Sequence, residues 1–308
     1  MSPDSLGARV AALVSTIKAS VAPKVSGEPN GVAPARAPSA SRAHAPPTRT
    51  GYAWVNGLRM YYEVHGEGGE VPLILLHGGG STITTSFGRI LPLLKETHPR
   101  VIAVEFQAHG HTRDVDRAFT FEQDADDVAA LMDHLYVERA TVFGFSNGGT
   151  VALQVAIRHP EKVERLIVAS ANYRKDGMHP WFWDVMNKGT FADMPQVYKD
   201  EYLKLDPRQE GLFTMYERDS RRMMQFEDIP DSLIQGIEAP TFVVTGDKDV
   251  VRPEQAIDLS RLVQHGRLCI LPGGHGEYFG EIMFPSAGDA AVRRFVGLAN
   301  EFLLAQTE

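Results

Sequence analysis

The run Ala140-Thr141-Val142-Phe143-Gly144-Phe145-Ser146-Asn147-Gly148-Gly149 decides how this chain is read. Residues 140–145 are mostly apolar and include β-branched and aromatic side chains, as a short buried strand does. The spacing then predicts a helix over 149–159, closed by Pro160, since helices commonly end just before a proline. A serine on so sharp a strand-to-helix turn needs small neighbours, because the flanking elements come close and the backbone is strained. Gly144 and Gly148 meet that need. Ser146 is then expected above the carboxyl edge of a sheet, at a helix N-terminus, where free N–H groups and the helix dipole favour negative charge. The competing reading is a tight glycine turn with an inert serine.

Working outward, similar short runs recur at Val71 to Leu76, Val101 to Phe106, Val163 to Ala169, Thr241 to Thr245 and Arg267 to Leu271. Upstream, Tyr52 to Val55 and Leu58 to Val64 flank Asn56-Gly57, a strong hairpin signal. Between the runs lie helical patterns. Phe121 to Leu135 places Phe121, Ala125, Val128, Leu131, Met132 and Leu135 on one face behind a Thr120 N-cap. Pro253 to Val263 opens with proline in its first turn, and Ala290 to Leu304 closes the pattern. Eight strands alternating with helices imply an α/β fold: a doubly wound, mostly parallel sheet covered on both faces, with the hairpin as its antiparallel edge.

From Asn172 to Ala239 that rhythm stops. Six of the ten methionines lie there, with Trp181, Trp183 and several other aromatics. The segment reads as a helical insertion whose adaptable side chains suit an apolar pocket wall. The domain reading is thus a tail over 1–50, a core over 51–171 and 239–308, and a helical cap over 172–238. The tail is rich in alanine, proline and serine, holds none of the 27 aromatics and carries a net charge of +4. It can bury little, so it is expected to be flexible. Its best apolar run, Val10 to Val14, is shorter than a secretory core. A cytoplasmic protein is expected, with export or transit through the tail left open.

The whole chain of 308 residues has a net charge of −8, which argues against nucleic acid as a partner, because binding phosphates needs clustered cations. No stretch approaches the 18 apolar residues of a transmembrane helix. The single cysteine, Cys269, forbids an intramolecular disulfide or a cysteine-rich zinc site and reads as a buried small hydrophobe.

Ser146 needs a base. Among eleven histidines, His275 stands out, in Leu271-Pro272-Gly273-Gly274-His275-Gly276 just past the last strand. The base needs an orienting carboxylate. Asp249, with Asp247 in reserve, follows the strand at 241–245. In Leu76-His77-Gly78-Gly79-Gly80-Ser81 the glycines let backbone amides approach a developing oxyanion. Gly79 and Asn147 are the expected donors, with Gly80 beside them, while His77 reads as structural. His109-Gly110-His111 with Asp114 invites a metal reading, but no Asp-His pair follows at the spacing a binuclear site needs.

These residues resemble the α/β-hydrolase superfamily, in its esterase and lactonase-like branch with a helical cap. The resemblance spans Gly51 to Leu304 and rests on four motifs in the expected order: His77 to Gly80, Gly144 to Gly148, Gly246 to Pro253 and Gly273 to Gly276. It favours Asp249 over Asp247, because the acid is usually the third residue after such a glycine. It also explains the histidines of Glu105 to Thr112 as a turn, although Glu105, Gln107 and Ala108 depart from the usual pattern there. The resemblance implies a serine hydrolase without cofactor or metal, acting on small ester-type substrates. Phe145, Trp181 and Trp183 would line the pocket with Gly80, and a homodimer is left open. C–C bond hydrolysis, perhydrolysis and a non-catalytic ligand-binding role are the alternatives.

Overall fold

A computed structural model describes residues 47–305. The expectations for residues 1–46 lie outside the described residues. The strands are β1 (Arg49–Val55), β2 (Leu58–Gly66), β3 (Leu73–Leu76), β4 (Arg100–Glu105), β5 (Ala140–Phe145), β6 (Val163–Ala169), β7 (Thr241–Gly246) and β8 (Gly266–Leu271). They form one sheet in the order β1-β2-β4-β3-β5-β6-β7-β8. β1 and β2 are antiparallel, as are β2 and β4, and the remaining pairs are parallel. The hairpin closes where expected: Val55 pairs with Leu58, and Asn56 and Gly57 both take positive φ, as a two-residue turn matching the strand twist demands.

The helices are α1 (Ile83–Phe87), α2 (Leu91–Leu94), α3 (Phe121–His134), α4 (Asn147–Arg158), α5 (Pro180–Lys188), α6 (Gln196–Leu205), α7 (Gln209–Met224), α8 (Asp231–Gln235), α9 (Pro253–Leu262) and α10 (Asp289–Leu304). Alternation along each strand divides the core. Ile74, Val142, Leu166 and Val243 pack on one face of the sheet against α3, α4 and α9. Leu75, Phe143, Ile167 and Val244 pack on the other against α1, α2 and α10. Each large apolar side chain buried this way contributes about 1.5–3 kcal/mol. The Thr120 side chain accepts from the Gln123 N–H and caps α3 as expected. The stretch between β6 and β7 holds α5 to α8 and no strand of the sheet.

Two boundaries differ instructively. α4 begins at Asn147 rather than Gly149, because Ser146 itself ends the strand-to-helix turn. Cys269 is half-buried rather than buried, and Leu268 and Ile270 are each 39% exposed. β8 is the outermost strand of the sheet, so its side chains lack a further strand beside them. No helix among the described residues is long and apolar enough to cross a membrane.

The parallel strands bring the loops after β3, β5, β7 and β8 to one edge of the sheet, and the packing beneath that edge leaves no room for a side chain at Gly144. A Cβ on Gly144 would stand 2.0 Å from the Gly148 carbonyl oxygen. Gly144→Ala is therefore expected to cost about 3 kcal/mol or more in a urea titration, at the upper end of overpacking. Gly297→Ala, in the open on α10, should instead gain about 0.5–1 kcal/mol. Similar stabilities for the two variants would refute the packing argument.

Candidate active site

β5 runs straight into α4, and the turn between them is Ser146, with φ 55° and ψ −124°. Such a conformation is sparsely populated and costs a non-glycine residue about 1–3 kcal/mol. The surroundings enforce it. The Ser146 N–H donates to the Ala169 carbonyl at 2.8 Å, tying the turn to β6. A Cβ on Gly148 would meet the Leu76 carbonyl oxygen at 2.1 Å, so α4 can start this close to β3 only with glycine there. Ser146 is left half-buried, with its hydroxyl at the loop edge.

Ser146, Asp249 and His275 come together. The Ser146 hydroxyl lies 2.9 Å from His275 Nε2, and His275 Nδ1 lies 2.7 Å from Asp249 Oδ1. A carboxylate only accepts, so Nδ1 carries a proton and Nε2 offers its lone pair to the serine hydroxyl. Asp249 is buried and saturated. Its Oδ1 also accepts from the Val251 N–H, and its Oδ2 from the Ser170 and Thr245 hydroxyls and the Gly246 N–H. Ser170 in turn lies 2.8 Å from the Tyr278 hydroxyl. Burial alone would raise the Asp249 pKa, but the His275 charge and these hydrogen bonds hold it below the usual carboxylate value. For His275 burial works against the imidazolium, and the Asp249 charge and hydrogen bond overcome it, raising the pKa above 6.5. Asp247 is elsewhere, accepting from the Gly273 N–H in a surface turn.

The glycines of residues 78–80 bridge β3 and α1. A Cβ on Gly79 would fall 2.3 Å from Asn147 Nδ2, so this loop and the start of α4 are in direct contact. Asn147 is the first residue of α4, and its amide has no carbonyl partner within its own helix. The Gly80 amide is already engaged: it donates to Asp219 Oδ2 at 2.5 Å, with φ at +63°. His77 is fully buried. Its Nδ1–H donates to the Gly78 carbonyl at 2.7 Å, and its Nε2 accepts the Phe106 N–H at 3.1 Å. That geometry needs neutral imidazole, and burial pushes its pKa down to about 3.

Asp219 belongs to a buried charge cluster that the sequence did not announce. Its Oδ2 also accepts from His109 Nε2 at 2.9 Å and its Oδ1 from Arg222 at 2.7 Å, while Arg222 reaches Asp124 at 2.5 Å. His109 Nδ1 donates to the Gln107 carbonyl at 2.8 Å, so both ring nitrogens are donors and His109 is an imidazolium. Burial disfavours that charge, and Asp219 overcomes it. For Asp219 itself burial would raise the pKa, and His109 and Arg222 bring it far below the usual range. Asp219 and Arg222 stand three apart on a helix, which in a sequence reads as an ordinary surface pair. His111 is committed to Glu105, whose carboxylate accepts both its backbone N–H and its Nδ1, so Glu105 organises the turn that departed from the usual pattern.

The expected pocket residues divide. The Phe145 ring packs at 4.8 Å from His275 and at 4.8 Å from Phe279. Gly80, the last residue of the 78–80 loop, faces Met194, whose Cε lies 3.5 Å from the position of a would-be Gly80 Cβ. Trp181 is partly exposed and stacks on His179, while Trp183 packs on Phe182 and donates to the Lys175 carbonyl. No hydrogen bond or ring contact joins either tryptophan to Ser146, Asp249 or His275. From the same segment Met178 pairs with Val251 in the loop after β7, and Met194, Tyr198 and Asp219 reach the loops after β3 and β8. The Tyr198 hydroxyl donates to Glu281 at 2.7 Å, six residues past His275, and Glu281 also accepts the Met283 N–H. A lone acid within Tyr278 to Phe284 was a legible sign of a buried carboxyl.

With this geometry in view, comparison with known proteins is informative. The model of a family described as the alpha/beta hydrolase fold matches residues 71–215. The chain has the alpha/beta hydrolase fold. It is similar to the serine hydrolase BPHL of Homo sapiens, 28% identical over 237 residues, or 71% of this chain and 77% of that protein. In fold it resembles a meta-cleavage product hydrolase from Pseudomonas fluorescens, with a TM-score of 0.67 at 22% identity, covering 83% of this chain and 97% of the other. It also resembles an enol-lactonase from Burkholderia xenovorans, with a TM-score of 0.63 at 22% identity, covering 82% and 100%.

Burial pushes the Glu281 pKa up to about 7, from an ordinary 4.5. Between those values the folded chain keeps a proton that the unfolded chain has released, so this carboxyl's contribution to stability falls as pH rises through that window. Glu281→Gln can still accept the Met283 N–H through its amide oxygen and can pair its amide N–H with the Tyr198 hydroxyl oxygen. Urea midpoints at pH 5 and pH 8 should show a smaller drop in this variant than in the wild type, by about 1–3 kcal/mol. Parallel drops would mean that Glu281 is not the source.

Proposed function

We propose that the chain is a serine hydrolase that cleaves carboxylic esters or lactones of small to medium, largely apolar substrates through an acyl-enzyme intermediate. One observation carries the reading: the unbroken hydrogen-bond relay from Ser146 through His275 to Asp249, mounted on a strained elbow. Ser146 Oγ attacks the carbonyl carbon as His275 Nε2 takes its proton, and Asp249 stabilises the resulting imidazolium. The Gly79 and Asn147 amides receive the oxyanion, each such donor being worth about 2.7–4 kcal/mol. His275 returns the proton to the leaving alkoxide, and a water repeats the sequence to release the acid. No step requires a cofactor or metal.

Residues 172–238 serve in this reading as a cap, supported by the reach of Met194, Tyr198 and Asp219 to the loop edge. The half-buried thiol of Cys269 suits a cytoplasmic setting. A second reading, hydrolysis of a C–C bond with the same three residues, draws support from the likeness in fold to a meta-cleavage product hydrolase.

The test is turnover of p-nitrophenyl esters of increasing acyl length, wild type beside Ser146→Ala. The variant is expected to lose about 1,000-fold or more in kcat. Equal turnover by both proteins would overturn the mechanism, and no turnover by either would favour the C–C reading. The base works only when neutral, and its pKa is raised. Activity should therefore climb with pH along an acidic limb whose midpoint lies above 6.5.

A further inference from the structure

Three consecutive glycines make an unusually free loop, since each forfeits more backbone entropy on ordering than any other residue. Yet an oxyanion donor must be held within about 0.5 Å of its working position. Gly79 lies between two anchored peptides. On one side the Gly78 N–H donates to Ser86 Oγ at 3.2 Å, and the Gly78 carbonyl accepts from His77. Those anchors come from the loop's own neighbourhood. On the other side the Gly80 N–H donates to Asp219, 139 residues away on α7. A carboxylate is a strong acceptor for such a bond. Its Oδ2 also lies 3.3 Å from where a Gly79 Cβ would stand.

A bare carboxylate so close would oppose an oxyanion by simple repulsion. The cluster removes that objection. Asp219 and Asp124 bring two negative charges, and Arg222 and His109 bring two positive ones. The four are buried together, so the anchor adds no net charge beside the reacting carbonyl. The Arg222 guanidinium is further held over Phe119 and Phe121, at 4.4 and 4.5 Å from the ring centres.

We propose that Asp219 is a positioning residue: it reaches from α7 to fix the 78–80 loop in the conformation in which Gly79 presents its amide beside that of Asn147. The proposal rests on the serine-hydrolase reading. Under it, the oxyanion site is complete only when α7 is docked, so the helical segment takes part in assembling the reactive site as well as covering it. An amide cannot replace the carboxylate fully. Asp219 accepts from three donors, and asparagine would turn an N–H towards one of them.

The experiment compares wild type, Ser146→Ala, Asp219→Asn and Asp219→Ala on a p-nitrophenyl ester, with inhibition by an alkyl trifluoromethyl ketone. That ketone adds Ser146 Oγ and forms a tetrahedral oxyanion. Thermal melts confirm that each variant is folded at the assay temperature. Asp219→Ala is expected to lose about 10- to 100-fold in kcat, part of the loss from removing a donor outright, with KM changed less than about threefold. Its inhibition constant for the ketone should weaken by the same factor. Asp219→Asn should show the same pattern to a smaller degree, and it decides the matter if the alanine variant does not fold. Unchanged kcat in a folded variant overturns the proposal. So does a loss of kcat without loss of ketone affinity, which marks a merely structural role. If Ser146→Ala matches the wild type, the serine-hydrolase reading itself fails. That result is distinguishable because it does not involve the Asp219 variants.

Discussion

Everything at the loop edge depends on one backbone constraint, the left-handed conformation of Ser146. It holds because three chain segments meet with no room between them. β5 ends against α4 at Gly144 and Gly148, β3 presses its Leu76 carbonyl on the same point, and β6 accepts the Ser146 amide. A relaxed backbone would turn the hydroxyl away from His275. The strain of about 1–3 kcal/mol is offset by the packing of a sheet buried on both faces.

Electrostatic order is the second organising element. Two buried hydrogen-bonded systems flank the serine. On one side Asp249 is saturated by hydroxyls and amides, so it holds the His275 ring while staying ionised. On the other, His109, Asp219, Arg222 and Asp124 form a closed set around the Gly80 amide. His77 sits between the halves as a neutral spacer, its ring 4.9 Å from that of His109, where a second cation would be repelled.

The sequence displayed what local rules control. Short apolar runs rich in β-branched residues disclosed the strands, Asn56-Gly57 the hairpin, and the glycines at 144 and 148 the elbow. Ser146, Asp249 and His275 were legible because each follows a recognisable strand end. What depends on packing between distant segments was not legible. Trp181 and Trp183 were chosen for their chemistry, yet α5 directs them to His179, Phe182 and Lys175. Asp219 stands three residues before Arg222, a spacing common to solvated pairs, and only the docking of α7 reveals its partner at Gly80. The exposure of Leu268 and Ile270 follows from the place of β8 in the sheet order, which the spacing of apolar runs does not encode.

The wide separation of the interacting groups has a temporal side. Ser146 and His275 are 129 residues apart in the chain. At ribosomal speeds of about 5–20 residues per second, the serine is made roughly 6–26 s before that histidine. β5 and β6 can assemble in that interval, but β7 and β8, whose following loops carry Asp249 and His275, are made later. The nascent chain thus holds the turn at Ser146 before the histidine that faces it has been made.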